Sequence, residues 1–147
     1  MSTVPACTSD ILKATQALQN ILLQYPQVYL EPEELLHAGC YVRTIRVTKG
    51  IVLTGALIKL PTVLIVSGKM RMTIGDKFEV VEGYKGFEGA KGRKTIFESL
   101  EDSVITMFFA TSAPDFESAL SEVVEEPLQE KDKCLASQQQ LHPQLQP

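Results

Sequence analysis

Apolar side chains recur at three- and four-residue steps near the start of the chain, at Ile11, Ala14, Leu18, Ile21, Leu22 and Tyr25. That spacing predicts an amphipathic helix over Ser9–Tyr25, stopped by Pro26, with Thr8, Ser9 or Asp10 as N-cap. The opposite face carries Lys13, Gln16, Gln19, Asn20 and Gln24 and is polar but almost uncharged. Two docking modes stay open: against the body of the same chain, or against another subunit. Residues 27–39 read as a connector in which Pro32-Glu33-Glu34-Leu35-Leu36 predicts one or two helical turns, proline first and acids at the positive end of the dipole.

From Tyr41 the pattern shifts to short runs punctuated by glycine, the mark of an antiparallel barrel or sandwich rather than of alternating β and α units. The runs are Tyr41–Val47, Ile51–Leu53, Ala56–Leu60, Val63–Ser67, Lys69–Ile74, Lys77–Glu82, Lys94–Glu98 and Val104–Ala110, with Gly68 and Gly75-Asp76 as tight turns. Within Lys69–Ile74, alternation places Met70, Met72 and Ile74 on a core face and Lys69, Arg71 and Thr73 on a wet one. Val63–Val66 is apolar throughout, as for a strand covered on both sides. A second helix follows over Pro114–Glu126, with Phe116, Leu120, Val123 and Val124 on one side. The chain thus divides into 1–40 (helix and connector), 41–111 (a small antiparallel β-barrel), 112–126 (C-terminal helix) and 127–147, a Gln-rich tail read as disordered.

At 147 residues, 44% hydrophobic and 22% charged, the chain has the size and composition of one globular domain. The net charge of −4 is unevenly spread, at −3 over residues 1–40, +4 over 41–110 and −5 over 111–147. A basic body between acidic flanks is an ordinary solvated surface, or one suited to an acidic partner. Cys7, Cys40 and Cys134 have no metal or redox spacing and are odd in number, which favours a reduced, intracellular setting. No basic start followed by an apolar run is present, and no stretch approaches the roughly 18 apolar residues of a membrane span. The expectation is neither signal-peptide secretion nor membrane insertion.

Chemistry-bearing patterns are few. Gly83, Gly86, Gly89 and Gly92 recur every third residue with Lys85, Lys91, Arg93 and Lys94 interleaved, a candidate anion-binding loop in which amides approach phosphate and cations supply charge. The competing reading is a flexible loop between strands, since no nucleotide fingerprint matches. Should it bind polyanions, Tyr84 and Phe87 would stack beside Lys91, Arg93 and Lys94. No Ser or Cys of the β-rich body has a neighbouring His in sequence to act as base, and Cys40 reads as a small packed residue. Its carboxylates fall at turns or alternate exposed positions, so no acid–base pair is legible.

The run Thr48–Gly55, then Val63–Lys69, then Gly89-Ala90-Lys91-Gly92-Arg93, then Leu100–Val104 resembles the cupin family, in particular the small single-domain cupin-like proteins of tailed bacteriophages. The resemblance spans about half the chain and implies a jelly-roll barrel. Cupin enzymes hold a divalent metal with histidines and a glutamate from a first motif and a histidine from a second. With Gly68 closing the first motif, its ligand stretch falls on Ala56–Thr62, which has no ligand. With Gly92 in the second, the proline becomes Ala90 and the histidine becomes Thr95. The chain's two histidines, His37 and His142, lie outside the barrel region, and Lys59 would repel a cation.

The expectation is therefore a non-enzymatic cupin-like structural or interaction protein without cofactor, virion-associated as a decoration or tail protein, in the virion or the host cytoplasm. It is expected to form homo-oligomers and to meet virion or host proteins, with nucleic acid and membrane disfavoured. The alternatives are a barrel taking a small molecule or anion, with Lys59 and Thr95 lining the lumen, and a small phage regulator binding a host protein or nucleic acid.

Overall fold

A computed structural model describes residues 2–125 and 135–137. Its elements are β1 (Ser2–Val4), α1 (Ser9–Leu22), β2 (Glu33–His37), β3 (Cys40–Val47), β4 (Val52–Thr54), β5 (Thr62–Ile74), β6 (Lys77–Gly89), β7 (Ile96–Ser99), β8 (Ser103–Ala110), α2 (Phe116–Val123) and β9 (Leu135–Ser137). The chain is mainly β, with one mixed nine-stranded sheet among the described residues. All pairings are antiparallel except that of β1 with β6.

The long β5–β6 ribbon organises the rest. Residues Val63–Ser67 of β5 pair with β8, residues Met70–Met72 pair with β7, and β6 pairs along the whole of β5. One half of the sheet thus runs β2-β3-β8-β5-β6-β1 and the other β9-β4-β7-β5-β6. Where the halves part, Gly68 lies opposite Gly83, both with positive φ, +120° and +82°. A Cβ on Gly68 would come within 2.4 Å of Ser103 Oγ and 2.8 Å of the Asp102 carbonyl oxygen, so only glycine lets the ribbon bend against β8. The expected turn at Gly68 is thus a bend within one continuous strand.

Folding the halves over each other buries one apolar cluster in which Leu64, Val66 and Ile105 from one half meet Met70, Met72, Leu53 and Phe97 from the other. Met70 and Met72 are fully buried, as the alternation required. Val63 differs from expectation: it is 41% exposed while Leu64 and Val66 are buried, because β5 is covered on one face only at that end. Among the described residues the pairing path does not close, so the architecture is a folded open sheet rather than the closed barrel expected.

Three further elements differ from the sequence reading. The segment at residues 32–36 makes strand, not helical turns. Ala38 (φ +53°) and Gly39 (φ +70°) form a two-residue turn of the primed type that lays β2 back on β3 in register, and this pairing overrides the local helical signals. Residues 56–60 are not a strand; only Ile58 makes ladder contacts, with Arg93 and Val124, and Pro61 beside them has no N–H to continue a ladder. The glycine-rich segment 83–89 is β6 itself, so the loop reading is corrected. The tail reading over 127–147 falls outside the described residues except at 135–137, where β9 pairs with β4.

Both helices dock on their own chain. Thr8 Oγ1 accepts from Ile11 N at 3.3 Å to cap α1, whose Leu22 packs with Val52 and Ile96 on the outside of the β4–β7 half. Asp115 accepts from Ser118 N at 2.7 Å to cap α2, whose Ala119, Leu120 and Val123 pack with Tyr41, Phe109 and Ile58. No described helix is long and apolar enough to cross a membrane.

Candidate functional site

The anion-loop candidates do not form one surface. Lys85 on β6 and Lys91 after it are exposed, whereas Arg93 and Lys94 are each only 3% exposed. Arg93 turns inward because Gly89 has no side chain: a Cβ there would stand 2.6 Å from the guanidinium carbon. Arg93 Nη1 donates to the Ala90 carbonyl at 2.9 Å and Nη2 to Thr62 Oγ1 at 2.6 Å. Burial lowers its pKa to about 10, the ordinary consequence of holding a cation away from water. This guanidinium pins the β6–β7 connection. The lumen candidates also separate: Lys59 is exposed and Thr95 is buried, its carbonyl accepting from Gly55 N at 2.8 Å.

A polar cluster that sequence reasoning missed lies on the inner side of the β2–β3 hairpin. Tyr41 and Arg43 are two residues apart on β3, so their side chains share a face, and Glu34 on β2 is the register partner of Arg43. Tyr41 donates its hydroxyl hydrogen to Glu34 Oε2 at 2.5 Å, and Arg43 Nη1 lies 3.6 Å from the same oxygen. Arg43 Nη1 also donates to the Tyr41 hydroxyl at 3.4 Å. Tyr41 is fully buried, its ring edge-on to Phe109 at 5.5 Å and tilted against Phe116 at 6.4 Å. Burial first, then the hydrogen bond to Glu34, pushes its pKa far above the usual phenol value. The alternation Tyr41-Val42-Arg43 is the available signal, but the helical pattern of residues 32–36 hides the partner on β2.

Chemically, this cluster is a charge-compensated lock. The phenol keeps its proton, the carboxylate is matched by a guanidinium, and α2 covers the tyrosine with apolar side chains.

The residues do not fit the metal that cupin enzymes hold. The two stretches the resemblance aligns with the metal motifs do meet, since Ile58 bridges Arg93 and Gly55 N donates to the Thr95 carbonyl. What they bring together is the buried cationic side chains Arg93 and Lys94, the hydroxyls of Thr62 and Thr95 and apolar residues, and a fixed cation disfavours a second one. His37 is exposed on β2, and no group of three or more His, Cys, Asp or Glu able to hold a metal occurs among the described residues.

No family model and no curated protein sequence matches the chain. Among solved structures it is similar to a cupin-2 domain containing protein from Shewanella frigidimarina, with 13% identity over 63% of this chain and 91% of that one and a TM-score of 0.46. It is also similar to a protein from Neisseria meningitidis, with 14% identity over 63% of this chain and 96% of that one and a TM-score of 0.44.

Proposed function

We propose that the chain is a non-enzymatic cupin-like protein that works as a structural or interaction module through its surface. The observation that carries this reading is the content of the interior. The stretch that the resemblance aligns with the first metal motif, Ala56–Thr62, offers no metal ligand, Thr95 stands at the histidine position of the second, and Arg93 is buried beside them on Thr62, while α2 packs over Ile58 and Tyr41. Elemental analysis of the purified chain tests it: sub-stoichiometric metal is expected, and one zinc, iron or manganese per chain overturns it.

The finer form of the proposal, resting on the turn-glycine resemblance, is a bacteriophage virion component that self-associates. Mass spectrometry of purified particles from the source phage is expected to find the chain in stoichiometric amounts, and its absence from particles rules this form out.

A further inference from the structure

Among the described residues, β2 is one of the edges of the sheet, and the outer face beside it is partly exposed. On the β2-β3-β8-β5 half, Leu35, Val42, Phe108 and Val63 are consecutive register partners and form an apolar row across four strands. Leu35 is 57% exposed and Val63 41%. The row runs to β2, the end of the pairing path, which pairs with β3 alone among the described residues.

The backbone of β2 dictates how another strand can join it. The two-residue turn at Ala38-Gly39 makes His37 and Cys40 the closing hydrogen-bonded pair. Counting back, Glu33, Leu35 and His37 direct their amides to β3, while Glu34 and Leu36 direct theirs outward. We infer that β2 pairs antiparallel with β2 of a second copy about a two-fold axis at Leu35. This deepens the self-association in the proposed function by naming its interface.

In that register Glu34 of one copy and Leu36 of the other exchange both backbone hydrogen bonds, twice over by symmetry. Leu35 meets Leu35 on the apolar outer face. Glu33, whose Oε2 accepts from Arg46 Nε at 2.7 Å within each copy, lies opposite His37, again twice. Pro32, without an N–H, ends the ladder on both sides. Centring on Glu34 instead would set two carboxylates opposite one another, and centring on Leu36 would place Glu34 against the Ala38 turn. The sequence Glu33-Glu34-Leu35-Leu36-His37 is thus self-complementary in one register, and that register joins the two apolar rows into a stripe eight strands wide.

Sedimentation of the full chain at micromolar concentration is expected to show a dimer. Leu35→Asp, at an exposed position, is expected to weaken it by about 30-fold or more while leaving thermal unfolding of the monomer unchanged. Leu35→Cys under mild oxidation is expected to give a disulfide-linked dimer that wild type and Val42→Cys do not, because facing residues of a non-hydrogen-bonded pair lie within disulfide reach. A monomeric wild type, or a dimer indifferent to Leu35→Asp and uncrosslinked through Leu35→Cys, overturns the inference. Metal content bears on the non-enzymatic reading alone, so the two can fail separately.

Discussion

The two helices are attached by opposite means. α2 has eight residues and buries Ala119, Leu120 and Val123, all apolar, within the cluster around Tyr41 and Phe109. α1 has fourteen, yet its buried residues are Thr15, Gln19 and Leu22. Its contact with the sheet includes a hydrogen bond from Thr54 Oγ1 to Gln19 Oε1 at 3.4 Å, with Ile21 and Leu23 left about half exposed. Helix length therefore says little about attachment. The short helix is part of the core, and the long one is a half-polar cover.

This contrast can be tested by substitution. Leu120→Ala should cost the most, about 2–5 kcal/mol, since it opens a cavity among buried neighbours; urea denaturation measures it, and a loss no larger than that of Leu22→Ala would abolish the distinction. Leu22→Ala should fall near the low end of that range, about 2 kcal/mol, because the small cluster it joins can collapse. Gln19→Ala should cost about 1–2 kcal/mol by leaving the Thr54 hydroxyl without this acceptor. Native-state hydrogen exchange should then rank α1 amides as opening at lower free energy than α2 amides.

The smallest effect concerns pH. Hydrogen bonds from Ser118 hold the Asp115 carboxyl below the usual range. A depressed folded-state pKa means that its contribution is present above the unfolded value, about 3.9, and lost as pH falls through the folded value. Asp115→Asn keeps an acceptor at the cap but cannot titrate, so the gap between the urea midpoints of wild type and variant should shrink from pH 6 to pH 3. A gap independent of pH would count against a charged cap.

What was legible in the sequence follows the same division. Strand alternation at Met70 and Met72 and the α2 positions Leu120, Val123 and Val124 are legible because they report apolar burial directly, whereas Phe116 of the same stripe is 44% exposed. The α1 periodicity locates the helix and the buried Leu22 with Leu18 beside it, but the sheet also receives Thr15 and Gln19 while Ala14 and Ile21 face water. Periodicity registers hydrophobicity, and this contact is half polar. The β2 strand was hidden because Pro32 and two glutamates carry a helix-start signal that long-range pairing with β3 overrides. With β2 unseen, the partner of Arg43 was unseen too. The glycines at 83, 86 and 89 suggested a loop because their spacing is visible and their pairing with β5 is not.

The parallel pairing of Ser2–Val4 with Phe87–Gly89 sets an order on biosynthesis. The ribosome releases β1 some eighty residues before the strand that receives it, and until β6 is docked on β5 this segment has no partner in the sheet. Val4, 2% exposed in the finished fold, therefore stays unsheltered until β6 is in place. During that interval a chaperone or protease meets Val4 unsheltered, and its protection reports the docking of β1 on β6.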